Sequence, residues 1–218
     1  MVGIARIKIG CTVALLSALP WLLGGCASSS GSGPQKASGI EKSLDKAKAD
    51  MGKAKDLVSE TSAALNDILT DPQRDLKPQF KTFAGSLGKL HAVSQKMRDK
   101  ATAIETQLDK YLESRREQVG TIQDVALRDT ALNRIAQCNE SFKRLSAVLT
   151  QAKDTLSPYV ANLRDIQKFL SADLTPGGLK AISGLANTAA RSQKGVQDQL
   201  DAVVAEFDRV AADLRAGQ

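Results

Sequence analysis

Apolar residues recur along this chain at alternating spacings of three and four, the a/d pattern of helices packed side by side. Ile40, Leu44, Ala47, Met51, Ala54, Val58, Leu65 and Ile68 form a first stripe, in which only Thr61 is polar. A second runs through Phe80, Phe83, Leu87, Leu90, Met97, Ala101, Ile104, Leu108 and Tyr111, with Ser94 its polar member. The third is wholly apolar, from Ala131, Ile135, Cys138, Phe142 and Leu145 to Leu149, Ala152, Leu156, Tyr159, Leu163, Ile166 and Leu170. Leu179, Ile182, Ala186, Ala189, Val196, Leu200, Val203, Phe207, Val210 and Leu214 make the fourth, with Gln193 polar. A register held over five or six heptads predicts four long helices, each roughly 45 to 65 Å in length.

Punctuation between the stripes sets the connections. Ser38 and Glu41 form a Ser-x-x-Glu capping box, which predicts the first helix start there. Asp71-Pro72 and Lys77-Pro78 separate the first two stripes, because each proline disfavours helix in the residue before it. Gly120, Asp124 and Asp129 are alternative sites for the second turn. Thr175 caps a fourth helix with Pro176 at its first position. Short connections force antiparallel neighbours, so the expected fold is all-α, an elongated antiparallel bundle or coiled coil of four long helices. A three-helix pack with the first helix detached, and a dimer that completes the core, stay open.

Pro158 interrupts the third stripe without shifting its phase, which predicts a kinked but continuous helix. Folding the stripes back on one another brings Ser94 and Gln193 to the level of Pro158. The expectation is a polar layer in which one of these side chains approaches the Asp154 carbonyl that the proline leaves without a donor.

The first 25 residues read differently. Arg6 and Lys8 precede a short apolar run from Cys11 to Leu23, and Leu-Leu-Gly-Gly-Cys closes it at Cys26. That run is too short for a bilayer span and has the anatomy of an export signal. It resembles the lipobox of bacterial lipoprotein signal peptides, which implies cleavage before Cys26 and a diacylglyceryl thioether on that residue. The expected organisation is a signal peptide over 1–25, a flexible tether over 26–37 spanning roughly 20 Å, and a helical domain over 38–218. Ala27, by resemblance to sorted lipoproteins, implies the outer membrane with the domain facing the periplasm.

Removing Arg6 and Lys8 from the 30 basic residues leaves 28 against 24 acidic, a mild excess of +4 in the mature chain. Basic and acidic residues are interspersed and no basic stripe alternates with aromatics, so nucleic acid is not an expected partner. Once Cys11 is discarded and Cys26 is lipidated, Cys138 is the one thiol left, and its place among Ala131, Ile135 and Phe142 predicts a shielded core position. His91 has no cysteine or carboxylate at ligand spacing, and the Glu113/Glu117 and Asp198/Asp201 pairs fall on outer faces. No catalytic, metal or cofactor site is expected. The lysines at 42, 46, 48, 53 and 55 read as a solvated face, with contact to anionic lipid the less favoured alternative.

Leu127-Arg128, Leu156-Ser157-Pro158, the Asp-Ile-Gln-Lys-Phe-Leu run at 165–170 and Ala181-Ile182 resemble an uncharacterised family of α-helical bacterial lipoproteins of unknown function. The Ser-Ala-Asp-Leu-Thr-Pro-Gly-Gly run at 171–178 departs from a more asparagine-rich turn in that family. The resemblance implies a long helical lipoprotein and carries over no catalytic residue. The expected function is that of a non-catalytic, lipid-anchored periplasmic scaffold or binding module. The alternative is a helical bundle that contacts or remodels membranes, against which the narrow apolar stripe argues. Its expected partners are the membrane, through Cys26, and another envelope protein or peptidoglycan, with a homo-oligomer also open.

Overall fold

A computed structural model describes residues 33–216, and they form four helices: α1 (Gly33–Thr70), α2 (Lys77–Gly120), α3 (Val125–Ala172) and α4 (Pro176–Ala216). The signal sequence and Cys26 lie outside the described residues. At 38 to 48 residues each, the helices are roughly 57 to 72 Å long, somewhat beyond the expected length.

Every member of the first stripe is buried, Thr61 included. The same holds for most of the other three, so a single core runs the length of the helical unit. Neighbours pack in the order α1–α2–α3–α4 and α4 returns to α1, closing a ring of antiparallel helices. The detached first helix is thereby set aside.

The polar stripe residues need no partner across the core. Thr61 Oγ1 donates to the Leu57 carbonyl at 2.6 Å and Ser94 Oγ to the Leu90 carbonyl at 2.8 Å, each within its own helix. Gln193 is half-buried. Pro158 leaves α3 continuous, as expected, but both it and Asp154 face solvent, where water can bond the orphaned carbonyl. Among the described residues neither Ser94 nor Gln193 hydrogen-bonds to that carbonyl, so the expected direct contact does not form.

α1 opens at Gly33, five residues before the capping box, with Pro34 in its first turn. Burial of Ala37 and a 2.8 Å hydrogen bond from Lys36 Nζ to Ser114 Oγ tie the additional turn to α2. Residues 33–37, expected as part of the tether, are therefore helical, and α1 begins at Gly33.

Asp124 resolves the second turn: its side chain accepts from the Leu127 amide at 2.8 Å and caps α3. Thr175 caps α4 as expected, accepting from the Gly178 amide at 3.2 Å. On the seam between α1 and α4, Lys48 and Lys55 each place Nζ 2.5 Å from Asp208 and Asp201. Seven residues earlier, Glu41 meets Arg215 at 3.8 Å, so the pairs climb α1 and descend α4 one heptad at a time.

Candidate functional site: a cleft between α2 and α3

Three small side chains coincide where α2 faces α3 near mid-length. Ser94 and Ala101 on α2 and Ala152 on α3 are small members of their stripes. The gap is a cleft of about 250 Å³. Met97, Leu149 and Leu156 form its walls, and Met51 of α1 and Leu200 of α4 lie at its floor. Since the Ser94 hydroxyl donates to Leu90, the floor offers no free hydrogen-bond donor.

The mouth is polar. Arg98 and Thr102 line it from α2, and Thr150, Lys153 and Ser157 from α3. Glu105, on the same rim, accepts from Ser146 Oγ at 2.7 Å across the seam. Arg98 is half-buried and Lys153 exposed, and neither makes an ion pair or a hydrogen bond among the described residues. An apolar floor under two uncommitted cations can hold an apolar group and neutralise a negative one.

A shallower, open concavity of about 550 Å³ lies between α3 and the end of α4, lined by Arg134, Cys138, Ser141, Arg144 and Asp213. Cys138 packs against the core yet is half-buried, so the expected full shielding is corrected: its side chain borders this open concavity. Burial raises the thiol pKa, the nearby Asp213 carboxylate adds to the rise, and Arg115 opposes it. A raised pKa keeps the thiol protonated and weakly nucleophilic. Beside it, Ser141 donates to Asp213 and accepts from Arg144 at 2.7 Å. The buried Glu206 is held by Arg209 at 2.8 Å and by Arg144 at 3.4 Å.

The remaining sequence candidates are dispersed. His91 is half-buried on α2, and Glu113 and Glu117 face solvent. Asp198 pairs with Lys194 at 2.7 Å, whereas Asp201 belongs to the α1–α4 ladder. No group of three His, Cys, Asp or Glu side chains gathers at metal-binding distance among the described residues. Of the first-helix lysines, Lys48 and Lys55 serve the ladder, while Lys42, Lys46 and Lys53 are exposed. The cleft was not anticipated from the sequence. Its signal was there to read in Ser94, Ala101 and Ala152, three small stripe residues on two adjacent helices.

No curated protein and no solved structure matches the chain. A family model described as "Protein of unknown function (DUF2959)" matches residues 30–214, which takes in α1 to α3 and all but the last two residues of α4. With most of its length matched, the chain belongs to that family of proteins of unknown function.

Proposed function

We propose that the protein is a lipid-anchored helical bundle of the bacterial envelope, held at the outer membrane through Cys26, facing the periplasm and acting as a binding module or scaffold, not as a catalyst. The observation that carries this reading is the Leu-Leu-Gly-Gly-Cys sequence closing at Cys26, with six residues between it and the start of α1 at Gly33. No described helix is long and apolar enough to cross a membrane. The cleft between α2 and α3 supplies the binding surface. Intact-mass analysis of the mature protein, with detergent partitioning, tests the anchor. The reading expects a diacylglyceryl adduct on Cys26 in the detergent phase, and an unmodified Cys26 in the mature chain would end it.

One observation favours the second reading, contact of the bundle itself with lipid. Val125, Leu127 and Leu132, at the start of α3, are 59, 64 and 44 % exposed. They lie at the end of the bundle where α1 begins, since Lys36 bonds Ser114 near the close of α2. Flotation of the Cys26→Ser protein with anionic liposomes tests this. Loss of flotation in a Leu127→Ser/Leu132→Ser variant is the expected result, and a protein that stays at the bottom of the gradient from the outset excludes it.

A further inference from the structure

We infer that the cleft between α2 and α3 binds a single-chain amphiphile with a monoanionic head, of the fatty-acid class, its chain on the Met51–Leu200 floor and its head between Arg98 and Lys153. This rests on the binding half of the proposed function and not on the anchor.

The floor selects the chain. A cavity keeps water only where the water finds two to four polar partners, and Met51, Met97, Leu149, Leu156 and Leu200 supply none. The one hydroxyl nearby, on Ser94, has its donor committed to the Leu90 carbonyl. At about 250 Å³ the space exceeds the roughly 150 Å³ of a dry cavity that accepts benzene.

The rim selects the head. Arg98 and Lys153 approach from facing helices with their guanidinium and ammonium groups uncommitted, and their aliphatic stems extend the apolar wall. Glu105 shares the rim, so two positive charges stand against one negative. One surplus positive charge suits a carboxylate or a phosphodiester better than a doubly charged phosphate. At the level of the cleft the seam between α2 and α3 is bridged by the hydrogen bond from Ser146 to Glu105. A chain can therefore enter without breaking an ion-pair ladder such as the one joining α1 to α4.

Photo-crosslinking on the full-length protein in envelope membranes tests the inference, with a diazirine-bearing decanoate as the probe. The label is expected in peptides covering 97–105 and 149–157. Unlabelled decanoate should compete, while decanol and inorganic phosphate should not, and decyl phosphate should compete less well than decanoate. Labelling should fall at least about tenfold in the Arg98→Gln/Lys153→Gln double variant, the order of factor that a lost charge-assisted contact is worth. Ala152→Phe, which fills the cleft, should abolish it; because this variant also risks misfolding, the rim double variant keeps the test decisive. Label spread over the surface, equal competition by decanol, or undiminished labelling of the double variant overturns the inference. The mass of Cys26 in the same sample separates failure of the anchor from failure of the cleft.

Discussion

Tyr159 of α3 reaches diagonally across the core to place its hydroxyl 2.7 Å from Ser62 Oγ on α1, with the Val58 carbonyl at 3.5 Å. The ring is 1 % exposed, so this bond joins two helices that are not neighbours in the ring. Tyr159→Phe keeps the ring and removes the bond, and chemical denaturation should register a loss of about 0.5–1.5 kcal/mol. Burial raises the phenol pKa above its ordinary 10.0, with the Ser62 hydrogen bond opposing. A raised pKa means stability that is complete below the unfolded value and lost as pH rises through the folded one. The wild-type melting temperature should therefore fall more steeply above about pH 10 than that of Tyr159→Phe, and equal slopes would contradict this.

Asp50 carries the opposite dependence. It is 3 % exposed on α1, and Lys96 and Lys100 of α2 both reach its carboxylate, Lys96 at 3.0 Å. Burial alone would raise its pKa, but the hydrogen bonds and charges of the two lysines outweigh burial and lower it from 3.8. A lowered pKa gives stability that is present above the unfolded value and lost as pH falls through the folded one. Asp50→Asn should cost about 1–3 kcal/mol near neutral pH, and the gap to wild type should close below about pH 4. A gap that persists in acid would assign the loss to packing.

The heptad stripes anticipated the core almost residue for residue, because burial of an a/d face is a repeated, additive signal that no single exception can shift. Local signals fared less well. The Ser38–Glu41 box is overridden by burial of Ala37 and the Lys36–Ser114 contact, tertiary interactions that a capping motif does not encode. The direct contact to the Asp154 carbonyl failed because a serine in a helix always has the carbonyl four residues back within reach, so Ser94 had no need of a distant partner. The cleft depends on which small residues meet across a seam, a question of axial register between helices that periodicity within one helix leaves open. The Asp201 and Asp208 pairings with α1 lay beyond reach for the same reason.

Two core leucines of α3 should respond unequally to truncation. Leu163 is fully buried, and Leu163→Ala should open a dry void at about 3–5 kcal/mol. Leu149 already borders the cleft, so the void in Leu149→Ala joins a space open to solvent and should cost nearer about 2 kcal/mol. Cys138→Ala, at a half-buried site, should cost less than about 1 kcal/mol. The raised pKa of Cys138 adds a kinetic check: thiol reagents should label the native protein more slowly than the unfolded chain. Equal rates would mean that the N-terminal part of α3 opens freely.

Glycines at two places in α4 give a paired prediction with opposite signs. Gly178 sits in the first turn of α4, where its amide donates to Thr175 Oγ1 and its Cα approaches the Asp173 carbonyl of the turn leaving α3. A Cβ at residue 178 would collide with that carbonyl oxygen, which belongs to backbone and cannot swing aside as a side chain would. Gly178→Ala should therefore displace the turn between α3 and α4 and destabilise the protein by about 1–3 kcal/mol. Gly184 and Gly195 lie further along the same helix with nothing near the position of an added Cβ. There alanine restricts the unfolded chain at no steric cost, and each substitution should raise stability by about 0.5–1 kcal/mol. Thermal melts of the three single variants decide the matter: a neutral Gly178→Ala would mean that the turn yields to accommodate the methyl group, and destabilisation by Gly184→Ala or Gly195→Ala would place an unseen contact on the outer face of α4.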